Sequence, residues 1–174
     1  MPMLQKEVLN MARTTIQGKR FESLIGKIDD ALKDGYYMEA ISLSYALMEE
    51  RTYRLLDRLG INYMVVYNRR THRMDAAKLA GCLQLLRDNI NNQSITVSSR
   101  RITTTNLTND LHSMLIASNL ITNIDKWRRK RNDAIHDLAK GTISYSQLKN
   151  TAINGRNYLR VYLSNIMKIK RKLK

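Results

Sequence analysis

An arginine, an asparagine and a histidine stand close together late in the chain, in the stretch 127–140 that reads WRRKRNDAIHDLAK. Arg131 and Asn132 are adjacent, and His136 follows four residues after Asn132. Near neutral pH an imidazole can take or give a proton and a guanidinium can hold a phosphate. These three side chains therefore suit the cleavage of a phosphodiester without a metal, and they are the candidate catalytic residues.

Cleavage of RNA by its own 2′-hydroxyl needs a base, an acid and positive charge on the crowded phosphate. We assign His136 to the acid and base work, Arg131 to the phosphate and its transition state, and Asn132 to orienting the imidazole or contacting the phosphate. One imidazole can hardly serve both sides of an in-line displacement. A two-fold dimer would bring a second copy of His136 and of Arg131 to the same cleft.

The spacing of apolar residues predicts that the motif lies on a helix and that Arg131 stands on its otherwise apolar stripe. An unpaired buried guanidinium is costly, so Arg131 is expected to face an acid, a phosphate or a subunit junction. Glu49, on a predicted central helix, is the candidate supporting acid, although a merely solvated Glu49 fits equally well. The alternative for the whole motif is a basic, solvated helix end with a surface histidine.

The Arg-Asn-x-x-x-His pattern, on a late helix of an all-helical chain of this size, resembles the HEPN superfamily, whose signature is Arg, four to six residues, then His. The resemblance covers most of the chain at the level of helix order, and the Arg-Asn-x-x-x-His motif is its most specific feature. It implies an all-α fold, as an antiparallel four- to five-helix bundle that forms a two-fold homodimer. It also implies an endoribonuclease without metal or other cofactor, in a toxin or phage-defence setting.

One position departs from part of that family. HEPN toxins paired with a nucleotidyltransferase antitoxin commonly carry a tyrosine two places after the histidine, where it can be adenylylated. Leu138 occupies that place in this sequence. Silencing by adenylylation is therefore not expected, while an antitoxin or another regulatory protein remains an expected partner.

The net charge of +15 is concentrated in the half of the chain that holds the motif. Residues 1–90 carry 14 basic and 11 acidic side chains, whereas residues 91–174 carry 16 and 4. Such a field favours a polyanion, with nucleic acid first and a membrane surface or an acidic protein partner behind it, although a basic composition alone can also raise the isoelectric point. The resemblance to the HEPN superfamily implies that the nucleic acid is RNA. The candidate nucleic-acid-binding residues are Arg128, Arg129, Lys130, Arg100 and Arg101.

The length of 174 residues and the hydrophobic content of 43% suit one folded domain. The single cysteine, Cys82, excludes an intramolecular disulfide, and no apolar run resembles a signal peptide or a membrane span. A cytoplasmic protein without membrane association is therefore expected. No metal site is predicted, because Asp133 and Asp137 lie among too many cations to form a good cage.

The chain is predicted to begin with a helical arm over residues 1–18, ended by Gly18, followed by a HEPN-like helical bundle over 19–174. Within the bundle we expect a polar loop at 91–106, a helix that starts at an N-cap on Thr108 and bends near Asp125, a stop at Gly141, and a frayed basic tail at 168–174. Residues 61–71 fit a strand, a connection or a helix extension.

Two functional interpretations follow from these features. The first is a metal-independent endoribonuclease acting on single-stranded or loop RNA. The alternative is a catalytically inactive HEPN-like dimer that binds RNA or a partner protein through its basic half. A DNA-binding regulator is a weaker third, because a tight turn between two short helices is not evident.

Overall fold

Helices form nearly all the regular structure of the described part of this chain. The computed structural model describes residues 16–64, 66–68, 73–75 and 77–173. Its six α-helices are α1 (Ile16–Lys33), α2 (Tyr37–Arg58), α3 (Leu79–Asn91), α4 (Thr104–Leu111), α5 (Leu120–Ala139) and α6 (Lys149–Lys172). The predicted all-α class is confirmed by these helices, whereas the predicted four- to five-helix antiparallel bundle stays a prediction.

Two short irregular helical segments and one small hairpin complete the described structure. A π-helical turn covers His112–Ala117 and a 3-10 turn covers Tyr145–Leu148. Strands β1 (Val66–Asn68) and β2 (Arg73–Asp75) pair antiparallel, with Tyr67 opposite Met74. The stretch 61–71 thus contributes one strand of a hairpin, which settles the choice that the sequence left open.

The first helix does not end where the sequence suggested. Helix α1 begins at Ile16 and continues through Gly18, so the predicted boundary at residue 18 is wrong. An interior glycine costs a helix only about 1 kcal/mol relative to alanine, which the burial of Phe21 and Ile28 further along the helix can exceed. The rest of the predicted arm, residues 1–15, lies outside the described residues.

The helix before the motif starts earlier than expected. Its N-cap is Thr103, whose hydroxyl accepts a hydrogen bond from the backbone N–H of Asn106 at 3.3 Å. Thr108 is buried inside α4, and its hydroxyl donates to the Thr104 carbonyl. The prediction of an N-cap at Thr108 is therefore wrong, because the apolar stripe already begins at Leu107.

The helix that carries the motif is separated from α4 by a break, whereas the sequence predicted one helix that bends near Asp125. The break consists of the π-helical turn and of Asn119, whose φ is 58°. A left-handed residue stops an α-helix, and asparagine tolerates this conformation better than most residues. Helix α5 then begins at Leu120 and runs through Asp125 without interruption.

The C-terminal segment and the polar loop are more ordered than predicted. Helix α6 continues to Lys172, so a frayed tail from residue 168 is wrong for the described residues. The loop is also shorter than 91–106, because α3 ends at Asn91 and α4 begins at Thr104. Two of its residues, Ile95 and Ile102, are buried, which gives this polar stretch its own anchors in the core.

The chain divides into two compact units, and three helices contribute residues to both. The first unit comprises the described residues up to Tyr45 together with Trp127–Arg160. The second comprises the described residues of Ala46–Lys126 and Val161–Lys174. The motif therefore belongs to the first unit. Among the described residues, no helix combines the length and apolar content that crossing a membrane requires.

The second unit has an apolar core with one buried polar pair. Tyr162 is fully buried, and its hydroxyl lies 2.8 Å from the Thr52 hydroxyl, which in turn donates to the Met48 carbonyl. Burial raises the pKa of Tyr162, so its phenol stays neutral. The core around the pair is formed by aliphatic side chains that include Leu55, Leu56, Leu59, Leu83, Leu86, Leu111, Leu115 and Ile166.

Trp127, which lies on α5 one helical turn before Arg131, is a buried packing residue of the first unit. The indole is 3% exposed, and its Nε1 donates to the Thr151 carbonyl of α6 at 2.8 Å. A Cβ added at Gly155 of α6 would lie only 2.8 Å from Trp127 Cε2 and still closer to another ring atom. The Trp127 ring thus packs against α6 at a point where a residue larger than glycine would collide with it.

This close approach predicts that Gly155→Ala destabilises the protein although alanine is the better helix former. The methyl group would collide with a buried, rigid ring, and such overpacking costs about 1–3 kcal/mol. Gly26→Ala is the matched control, because a Cβ at this helical glycine of α1 meets nothing within 4 Å. Thermal unfolding followed by circular dichroism should show a lower midpoint for Gly155→Ala and an equal or higher one for Gly26→Ala. Equal shifts of the two variants would contradict the packing described for Trp127.

Candidate active site

Helix α5 carries all three predicted catalytic residues, as the periodicity indicated. Trp127 fixes the helix one turn before Arg131, and the helix ends three residues after His136. At its end, Gly141 has a φ of 71°, and its N–H bonds to the Leu138 carbonyl at 3.0 Å. Only glycine adopts this conformation without strain, so the predicted stop at Gly141 is confirmed.

Arg131 is half-buried and lies over an aromatic ring. Its Cζ is 4.6 Å from the centre of the Tyr45 ring of α2, within the first unit. Its Nη1 donates to the Asn132 side-chain oxygen at 2.9 Å, and its Nε is buried without a hydrogen-bond partner in the described part of the chain. No carboxylate among the described residues pairs with Arg131.

The ring and the amide orient this guanidinium but do not neutralise it. A cation over a ring face gains about 0.5–2 kcal/mol, and a neutral amide oxygen removes no charge. Arg131 therefore keeps its full positive charge in a position restrained from two sides. An anionic ligand such as a phosphate would supply the missing counter-charge.

Asn132 serves the arginine in this structure. Its amide oxygen accepts the bond from Arg131, and no hydrogen bond joins its side chain to His136 among the described residues. The interpretation in which Asn132 orients the imidazole therefore has no hydrogen bond to support it here. The amide nitrogen of Asn132 is still a donor suited to a phosphate oxygen.

His136 is exposed on the last turn of α5. It lies five positions after Arg131, which on a regular helix is about 7.5 Å along the axis and about 140° around it. The two side chains therefore leave the helix in different directions. The backbone of His136 is held by the helix end, where its carbonyl accepts from the Lys140 N–H at 3.0 Å. The imidazole thus projects from a fixed main chain toward solvent.

The predicted phosphate-contacting cations fall into two groups. Arg128, Arg129 and Lys130 precede Arg131 on α5, and Arg129 and Lys130 are exposed. Arg100 and Arg101 belong instead to the second unit, in a tight turn between Ser99 and Ile102. The sequence had grouped all five with the motif, and the structure assigns the last two to another unit.

Glu49, the predicted supporting acid, has a structural contact of its own. Its Oε1 accepts a hydrogen bond from the Leu79 N–H at 2.9 Å, at the start of α3. The N-cap residue Lys78 supplies no side-chain acceptor there, so Glu49 caps this helix from α2. Neither of the two expectations for Glu49 describes this contact: the carboxylate is not merely solvated, and no carboxylate among the described residues pairs with Arg131.

Tyr45 is the site residue that sequence reasoning missed. Helical spacing from Tyr37 and Ile41 places it on the inner stripe of α2, where it is typical of core packing. Nothing in the sequence connects this ring to an arginine 86 positions later. The one available signal was the arginine on an apolar stripe, which required some partner inside the fold.

Other chemistries have little support in the described residues. No group of three or more His, Cys, Asp or Glu side chains within the described ranges could hold a metal ion. The Cys82 thiol is buried and donates to the Ala77 carbonyl at 2.9 Å, and desolvation raises its pKa to about 11. A protonated, inaccessible thiol is a poor nucleophile.

No protein-family model, curated protein or solved structure matches this chain.

Proposed function

We propose that this chain is a metal-independent endoribonuclease that cleaves single-stranded or loop RNA, with Arg131, Asn132 and His136 as its catalytic residues. The observation that carries the proposal is the uncompensated guanidinium of Arg131, held between the Tyr45 ring and Asn132 on the helix that also presents His136. A structural arginine at such a position would ordinarily be paired with a carboxylate. This one is positioned for an anion that comes from elsewhere.

Arg131 would hold the scissile phosphate. As the 2′-oxygen attacks, negative charge builds on the phosphoryl oxygens of the five-coordinate phosphorus. A guanidinium already fixed by a ring and an amide needs little reorganisation to meet that charge. The Nδ2 of Asn132 would donate to the same phosphate, and Arg128, Arg129 and Lys130 would contact neighbouring phosphates of the RNA.

His136 would move the protons. In its neutral form the imidazole takes the proton from the 2′-hydroxyl, and in its protonated form it gives one to the departing 5′-oxygen. Attack and departure occur on opposite sides of the phosphorus, so two imidazoles are required. We place the second on another copy of the chain in a two-fold homodimer, which also explains why an essential histidine is exposed in a single subunit. Such an activity fits a toxin or phage-defence effector controlled by a regulatory protein.

The test is RNA cleavage by the purified chain in excess EDTA. We expect a labelled single-stranded RNA to be cut to fragments that end in a 2′,3′-cyclic phosphate and begin with a 5′-hydroxyl. The same oligonucleotide with 2′-deoxy sugars should bind but not be cut, because it lacks the attacking group. Light scattering on the same sample should give the mass of a dimer.

Binding without cleavage at any sequence tested would favour the alternative, a catalytically inactive dimeric module for RNA or a protein partner. Cleavage that requires an added divalent ion, or that leaves a 3′-hydroxyl, would contradict the proposed mechanism.

A further inference from the structure

The C-terminal end of α6 and the loop before α4 meet in the second unit. Ser99 donates its hydroxyl proton to the Lys172 carbonyl at 2.6 Å, and its oxygen accepts from the Arg101 N–H at 3.1 Å. Arg101 also reaches the Arg171 carbonyl with Nη1 at 3.3 Å. Ser99 and Arg101 together thus fasten the turn that carries the two arginines to the helix end.

Basic side chains accumulate where these two segments meet. We define the C-terminal basic surface by Arg100, Arg101, Lys168, Arg171 and Lys172. An ion pair between Lys172 and Asp110 neutralises part of its charge. Four of the last five residues of α6 are Lys or Arg, and α6 contains no Asp or Glu. On a helix, Lys168, Arg171 and Lys172 share one face.

Helix stabilisation accounts for only part of this accumulation. Cations in the last turn complement the negative end of the helix dipole, which suits Arg171 and Lys172. Lys168 lies before that turn, and Arg100 lies on no helix. Both are exposed, and neither makes an ion pair among the described residues. The turn brings Arg100 and Arg101 toward a helix end that is already basic. The repulsion between these like charges opposes folding unless the surface has an anionic partner.

We propose that the C-terminal basic surface binds the sugar-phosphate backbone of nucleic acid, as a second contact region that does not contain the motif. Arginines in a fixed turn match phosphate geometry, and the hydroxyl and amide groups of the surrounding loop are ordinary backbone-contacting groups. This surface would bind RNA whether or not His136 cleaves it.

A membrane surface is the less suitable partner. Helices that lie on anionic membranes combine cations with large apolar side chains that enter the lipid. The exposed large apolar residues of the described chain are Tyr36, Met64, Tyr145, Ile153 and Val161, and none lies in the turn or in the last two turns of α6. The surface offers charge and polar groups, which are the requirements of a phosphate backbone.

The experiment measures binding of a labelled single-stranded RNA by filter binding at several salt concentrations, with every protein carrying His136→Ala to prevent cleavage. The double variant Arg100→Ala, Lys168→Ala should bind RNA about tenfold more weakly. Its plot of log affinity against log salt concentration should be shallower by about 1.4, because each phosphate contact on a single strand contributes about 0.7 to the slope. The double variant Lys27→Ala, Lys78→Ala removes the same charge from exposed positions elsewhere and should change affinity less than twofold.

A third variant, Ser99→Ala, keeps every charge and removes the two hydrogen bonds of the Ser99 hydroxyl, to the Lys172 carbonyl and from the Arg101 N–H. We expect it to weaken binding about fivefold with little change of salt slope. Equal losses in the two double variants would show that only net charge matters and would overturn the proposal. The proposal would also be overturned if the protein with an unchanged C-terminal basic surface bound phosphatidylserine vesicles more tightly than RNA at the same salt concentration. These readouts are independent of cleavage, so the proposed function can fail while this surface stands, or the reverse.

Discussion

Replacing His136 by alanine should lower the rate of RNA cleavage in EDTA about a thousandfold or more, while RNA affinity stays within about twofold of wild type. The loss of rate is large because a positioned acid or base contributes about 10²–10⁴ to the rate, and His136 is proposed to supply both. A small effect on affinity is expected because His136 is exposed and is not one of the positive groups proposed to hold the phosphate. The measurement is single-turnover cleavage, with binding determined separately on the 2′-deoxy oligonucleotide.

His112 offers a matched control for this variant. It is also an exposed histidine, at the start of the π-helical turn in the second unit. His112→Ala should cleave at the wild-type rate. Equal activity of His136→Ala and wild type would remove His136 from the mechanism, and equal loss in both histidine variants would indicate damage to the fold.

Arg131→Ala should reduce the cleavage rate about 10²–10³-fold, the range found when a single donor to a developing negative charge is removed. Unlike the histidine variant, it should also weaken RNA binding, because in the proposed mechanism the guanidinium contacts the phosphate before the reaction as well as during it. The substitution should leave the fold largely intact: it removes a cation that is only half-buried and ion-paired to no described carboxylate. Thermal unfolding by circular dichroism checks this expectation.

Two further substitutions separate geometry from charge. Arg131→Lys keeps the charge but replaces the planar fork by a single ammonium, so we expect activity between those of wild type and Arg131→Ala. Lys130→Ala removes an exposed cation one position earlier on α5 and should weaken binding modestly while the rate for bound RNA is unchanged. If Lys130→Ala and Arg131→Ala lower the rate of bound RNA equally, Arg131 has no special role.

The sequence predicted the helices better than the points where they begin and end. The apolar stripe through Trp127 and Arg131 correctly placed the motif on a helix, because burial of one face dominates the choice of secondary structure over many residues. Helix ends depend on single residues that compete with their neighbours. The N-cap of α4 is Thr103 and not Thr108. The left-handed Asn119 interrupts an apolar pattern that is continuous in the sequence.

The candidate site was predictable in its residue types and unpredictable in its contacts. Local spacing identified Arg131, Asn132 and His136, since they lie on one helix. The contact between Arg131 and Tyr45 joins two distant segments, and no local rule connects them. The same applies to Ser99, whose hydroxyl fastens an apparently featureless polar loop to the end of α6. Interactions of this kind depend on tertiary packing, which one sequence does not display.

The position of Trp127 gives the protein a built-in optical reporter. It is the sole tryptophan of the chain, it is buried against Gly155, and it lies one helical turn from Arg131 in the unit that carries the motif. Its fluorescence emission therefore reports on the first unit alone, and a red shift on heating or in denaturant marks the moment at which that unit opens. Followed beside the helical signal of the whole chain, this emission tells whether the two units unfold together or in sequence.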